Sequence, residues 1–161
     1  MNIHSMSKKF MIAALTAVMV VGVAGCGGQK AAEGSSSGTS QAAKVGFVTV
    51  LSGGAAAYGK SQQEGINMAA EEINAGDFKV DVITEDSKGQ PADAINAVKK
   101  LTTQDKVGAV IGPMLSGEMK ADGPILQQTK IPTLGISLTA EGITDIGDYI
   151  FRNSVPESLN I

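Results

Sequence analysis

From residue 45 onward, short apolar runs alternate with longer stretches whose apolar residues recur at helical spacing. The runs VGFVTVL (45–51), KVDVIT (79–84), VGAVIG (107–112) and IPTLGI (131–136) read as strands, with a weaker one in DYIFR (148–152). Three of them are almost wholly apolar, the pattern of strands covered on both faces. Between the runs, residues 59–75 place Gln62, Ile66, Ala69, Ala70 and Ile73 on one stripe, with Glu64, Glu71 and Glu72 on the other side. Residues 91–104 open on Pro91, which suits a first helical turn, and align Ala94, Ile95, Val98 and Leu101. Residues 116–129 form a third helix, with a bend or restart expected at Pro124. Strand and helix alternating this regularly predict an α/β fold, a parallel doubly wound sheet with right-handed crossovers. Ligands of such sheets sit beyond the carboxyl ends of the strands. The loops SGGAAAYG (52–59), EDSKGQ (85–90), GPMLSG (112–117) and GISLTAEG (135–142), all rich in glycine and hydroxyl residues, are therefore the candidate site.

The residues before 45 add a different kind of signal. Lys8 and Lys9 precede an apolar run over 10–25 that is too short for a bilayer and exits through small residues to Cys26. This reads as a signal peptide over residues 1–25, an uncleaved anchor helix being the alternative. The sequence VAGC (23–26) resembles the lipobox of bacterial lipoproteins, with Val23 where leucine is usual. That resemblance implies lipid on the Cys26 sulfur and attachment to a bacterial membrane through acyl chains, two or more of which hold stably. The stretch GGQKAAEGSSSGTSQAAK (27–44) has almost nothing to bury, so residues 26–44 read as the lipidated cysteine and a flexible tether. Folded structure is expected from about Val45.

Loss of the leader also narrows the chemistry. His4 and Cys26 are the single histidine and the single cysteine of the 161 residues. A mature chain with neither imidazole nor free thiol excludes a Ser/His/Asp triad, a Cys/His nucleophile and a His/Cys metal site. No catalytic residue, metal site or cofactor is expected. The net charge of −3 becomes more negative once Lys8 and Lys9 leave, which argues against a nucleic-acid partner.

One motif points elsewhere. From Gly54 to Ser61 the sequence GAAAYGKS fits the phosphate-cradling P-loop pattern and follows a strand. Against it, Tyr58 puts a bulky ring where the backbone must wrap phosphate, and VGAVIG ends in Gly112 and Pro113 rather than a magnesium-binding carboxylate. Glu85 and Asp86 leave an acid available, so a P-loop ATPase or kinase stands as the rival function.

Taken together, VGFVTVLSGGAAAYGKSQQEGINMAAEEIN, ITEDSKGQPADAINAVKKL, VGAVIGPMLSGE, KIPTLGISLTAEGIT and DYIFRNSVP resemble the first lobe of type I periplasmic binding proteins. The branch is the leucine/isoleucine/valine-binding solute receptors of ABC importers. The resemblance implies a monomeric, extracytoplasmic receptor that is not an enzyme. Such a receptor takes an amino acid, of branched-chain type first, to the membrane subunits of an ABC permease. It further implies that Tyr58 walls the pocket and that Ser116 binds the ligand's α-carboxylate. Ser137 and Leu138 match backbone contacts, and Thr139 matches a second carboxylate-binding hydroxyl. The family's Gly-Pro after the first strand is Gly53-Gly54 here. Residue by residue, simpler roles stay open: Ser116 and Thr139 as helix N-caps, Tyr58 as a loop aromatic, Asp86 as a turn former and Arg152 as the partner of a carboxylate. A sensor domain of the same fold is a further alternative to a transport receptor. By the family's organisation, residues 45–152 are an N-terminal lobe and 153–161 the start of a hinge, so the chain is expected to be an N-terminal fragment.

Overall fold

The computed structural model describes residues 41–159; the leader, Cys26 and most of the tether lie outside them. Five strands, β1 (Ala43–Thr49), β2 (Val80–Asp86), β3 (Ala109–Ile111), β4 (Thr133–Gly135) and β5 (Ile150–Arg152), form one sheet. All are parallel and ordered β2-β1-β3-β4-β5. Helices α1 (Ala56–Ala75), α2 (Pro91–Lys99) and α3 (Ser116–Thr129) alternate with the first four strands. The expected parallel α/β sheet is thus present. Its order reverses at β1, so the crevice between β1 and β3 is where such a sheet receives ligand.

β1 begins two residues earlier than its apolar run, because Ala43 and Lys44 pair in register with Val80 and Asp81. α2 widens after Lys99 into a π-helical turn, Lys100–Asp105. There Thr102 Oγ1 and Thr103 Oγ1 donate to the carbonyls of Val98 and Lys99 at 2.8 and 2.6 Å, competing with the α-helical ladder. α3 runs through Pro124 without a restart. Pro124 and Lys120, the pair that loses its hydrogen bond, both lie on the exposed side, where water serves the vacant acceptor.

α2 and α3 cover one face of the sheet and enclose Val48, Val98, Leu101, Val110, Met119, Leu126, Leu138 and Ile150. The other face is less completely covered. The registered row Phe47, Ile111, Leu134, Phe151 starts fully buried and ends with Phe151 51% exposed. The two-sided cover expected of IPTLGI therefore fails at Leu134, which is 39% exposed. Among the described residues no helix is long and apolar enough to cross a membrane.

Candidate functional site

The loop after β2 is built around Asp86. Its carboxylate accepts from Leu51 N–H at 2.9 Å, Ser52 Oγ at 2.6 Å and Lys88 N–H at 2.8 Å. Burial alone would raise this carboxyl, but those hydrogen bonds outweigh it and hold it below the ordinary value. Asp86 is therefore a tie between the β1 and β2 loops, in keeping with a turn former.

The loop after β1 shows what the P-loop pattern encodes. α1 starts at Ala56, so the N–H groups of Tyr58 and Gly59 donate to Ala55 O at 3.1 and 3.3 Å instead of standing free for phosphate. Gly59 is required by packing: a Cβ there would lie 1.8 Å from the Val50 carbonyl oxygen. The helix thus meets the strand end backbone to backbone, as glycines at this junction permit. Lys60 is exposed, and Ser61 Oγ donates back to Ala57 O at 3.3 Å. The pattern marks a tight strand-to-helix joint, and no phosphate cradle exists at it.

Tyr58 projects from the first turn of α1 and is 73% exposed, with its ring beside a cleft of about 230 Å³ lined by Ala55, Met114, Leu115 and Ser137. This cleft spans the loops after β1, β3 and β4, at the reversal of strand order. The loop after β3 presents the start of α3. Leu115 occupies the N-cap position and Ser116 is the first helical residue, so Ser116 does not cap the helix. Glu118 Oε2 accepts from Leu115 N–H at 3.2 Å. The N–H groups of Ser116 and Gly117 belong to the first turn, where the helix offers no acceptor and the dipole favours an anion. Ser116 Oγ accepts from Ala140 N–H at 3.3 Å, which brings the loop after β4 against it and leaves its own proton to donate.

That loop is held from beneath. Leu138 is fully buried as its anchor, and its carbonyl already accepts from Ser154 Oγ at 2.6 Å. Arg152 Nη1 donates to the Ala140 carbonyl at 2.9 Å, bracing the backbone where a carboxylate partner was expected. Ser137 holds φ +63, a left-handed conformation uncommon outside glycine and concentrated at functional sites. Thr139 is exposed and its carbonyl accepts from Glu157 N–H at 2.8 Å; it starts no α-helix, so it is not a cap of one. Tyr58 and Ser137 thus line one cleft, and the Ala140–Ser116 bond holds the loop that carries Thr139 against the start of α3, whereas the Leu138 side chain belongs to the core.

Two features had no clear sequence signal. Gln62, a polar residue on the inner stripe of α1, bridges Thr49 and Ser137. Glu118 and Asp122, one turn apart on α3, are 1% and 0% exposed. Glu118 Oε1 and both Asp122 carboxylate oxygens have no hydrogen-bond partner among the described residues. Burial, with the Glu118 charge adding to it, pushes Asp122 up to about 7, and burial also raises Glu118. Among the described residues no group of three or more His, Cys, Asp or Glu is arranged to hold a metal.

A parallel sheet whose loops after β1, β3 and β4 meet at one open cleft, where its strand order reverses, has the form of a ligand-binding α/β lobe. Residues 42–156 match the periplasmic binding protein family, and the chain belongs to it. Among solved structures, the substrate-binding protein LivJ of Streptococcus pneumoniae, in complex with isoleucine, is 34% identical with a TM-score of 0.70, covering 73% of this chain and 35% of its own. A solute-binding protein of an ABC transporter from Rhodopseudomonas palustris, in complex with 3,4-dihydroxybenzoic acid, is 26% identical with a TM-score of 0.67, covering 71% of this chain and 32% of its own. Among curated proteins, the Leu/Ile/Val-binding protein BraC3 of Rhizobium johnstonii is 30% identical over 112 residues, 63% of this chain and 30% of that protein. An uncharacterized protein of Methanocaldococcus jannaschii is 32% identical over 133 residues, 77% of this chain and 32% of that one. The chain spans about a third of the length of these relatives.

Proposed function

We propose that this lobe receives the carboxylate of a small solute, an amino acid of branched-chain type first, within an extracytoplasmic receptor that serves an ABC importer. The observation that carries this reading is the hydrogen bond from Ala140 N–H to Ser116 Oγ. It joins the N-terminus of α3 to the loop bearing Ser137 and Thr139, so hydroxyl donors from two elements face one anion. Ser116 and Thr139 bind the carboxylate, the main chain at Ser137 and Leu138 lines it, and Tyr58 with Met114 and Leu115 walls the apolar part. With the Leu138 carbonyl engaged by Ser154, its N–H is the group left for solute. A second lobe closing over the cleft completes the pocket and excludes water. The lipobox-like VAGC supports attachment through Cys26, with permease subunits as partners and the receptor acting as a monomer. No enzymatic step is part of this function. The relatives' isoleucine and dihydroxybenzoic acid share a carboxylate, so the donors set the head group and the walls choose the rest.

A thermal-shift panel of amino acids and aromatic acids on the full-length protein tests this. A rise in melting temperature with a carboxylate solute is expected, and no response to any of them would sink the reading. Tyr58→Ala should weaken the responding solute about tenfold, in line with loss of an aromatic contact wall, while Lys60→Ala should leave it within about twofold.

A further inference from the structure

Gln62 sits on α1 with its side-chain amide clamped between two hydroxyls. Its Oε1 accepts from Thr49 Oγ1 at 2.8 Å and its Nε2 donates to Ser137 Oγ at 3.3 Å. Thr49 is fully buried at the end of β1, and its carbonyl accepts from both the N–H and the Oγ of Ser87, at 2.9 and 3.2 Å, so it cannot drift. A hydroxyl has one proton. The Met114 sulfur, 3.9 Å from Thr49 Oγ1, is a weak acceptor, whereas 2.8 Å to the amide oxygen is the ordinary length of an O–H···O bond. Thr49 therefore directs its proton to Gln62 Oε1, which turns the amide's NH₂ toward Ser137. With one Ser137 lone pair engaged by Gln62, the Ser137 proton is left for an acceptor in the open space Ser137 borders, which comprises the cleft shared with Tyr58, Met114 and Leu115 and an adjoining one of about 440 Å³ lined by Gln62, Ile66, Asn153 and Ser154.

We propose that Gln62 is a positioning residue that sets the polarity of the Ser137 hydroxyl, making it a donor to the solute's carboxylate. This rests on the reading above, that the cleft receives a carboxylate, and adds the Ser137 side chain to its donors. The device parallels the one at Ser116, where Ala140 N–H engages the hydroxyl's acceptor side. In both cases a protein N–H occupies one of the hydroxyl's two lone pairs and leaves its proton for the solute, which favours an anion. The requirement is for an amide. A carboxylate at position 62 would draw the Ser137 proton to itself and turn oxygen lone pairs to the solute. An apolar side chain would leave the hydroxyl free to rotate.

Calorimetric titration of the full-length protein with L-isoleucine and with 4-hydroxybenzoate, between pH 7.5 and 5.0, tests the proposal. Gln62→Leu should bind the solute that wild type binds about fivefold more weakly, the effect of one misoriented hydrogen bond. Gln62→Glu should lose about thirtyfold at pH 7.5, and the gap to wild type should narrow at least about threefold toward pH 5.0. There the new carboxyl, its proton favoured by the neighbouring anion, regains a donor. A merely structural role would give a ratio of dissociation constants that does not change with pH. Wild type binding either probe while that ratio stays flat, or while Gln62→Leu binds equally well, overturns this proposal alone. Wild type binding neither probe overturns it together with the carboxylate reading.

Discussion

Asp122→Asn should raise the stability of the protein at pH 8 by on the order of 2–3 kcal/mol, seen as a melting temperature about 10 °C higher, and should do nothing of the kind at pH 4. The native carboxyl is fully buried without a partner and is pushed from 3.8 up to about 7. Below 3.8 the group is protonated in both folded and unfolded chains, so it has no effect on the balance. Between about 4 and 7 the unfolded chain ionises it while the folded chain keeps the proton, and stability falls steadily as pH rises. Above about 7 the buried group is ionised as well and the full penalty is present. A difference of about three pKa units corresponds to about 4 kcal/mol. Asn returns part of that, because its amide is itself a buried polar group without a partner. Glu118, raised for the same reason, keeps a residual slope in the variant. Melting curves of both proteins from pH 4 to 8 check this, and parallel profiles across that range would contradict it.

Gly59→Ala should destabilise the protein by about 3 kcal/mol or more, because the added methyl would meet the Val50 carbonyl at 1.8 Å and one of two backbones must move. Gly54→Ala, with nothing within 4 Å of its added carbon, should stay within about 0.5 kcal/mol. Urea unfolding of the pair separates the accounts. If the glycines served a flexible phosphate loop, the two substitutions would cost alike; if Gly59 is a packing joint, only one is costly.

This pair also shows what the sequence could tell. GAAAYGKS was legible as a strand-to-helix loop at the ligand edge, but its second glycine has a meaning that only the approach of α1 to β1 reveals. The strands were legible because their apolar runs are short and bounded, and even weak DYIFR pairs as β5. Strand ends were less so: Ala43 and Lys44 join β1 through pairing with β2, not through their own hydrophobicity. The family resemblance pointed to the hydroxyls of Ser116 and Thr139, and to Ser137 only as a backbone contact. Whether Ser116 capped a helix or stood inside it depended on one backbone turn that spacing does not encode. Gln62 was visible only as a polar residue on an apolar stripe. Asp122 gave no warning, since an acid on a surface helix ordinarily faces water; here it falls on the buried side of α3, which packs against α2 and the 3-10 turn at Thr144–Ile146, away from exposed Lys120 and Pro124.

In the proposed function, a solute's carboxylate is held where the start of α3 meets the loop after β4. This placement is tested most directly by following backbone amide resonances of the ¹⁵N-labelled full-length protein during titration with L-isoleucine and, separately, with its methyl ester. The acid should shift the amides of Ser116, Gly117, Leu138 and Thr139 first and most, and the ester should bind at least about thirtyfold more weakly because charge-assisted hydrogen bonds are lost. Equal binding of the ester, or shifts centred away from these amides, would contradict the claim.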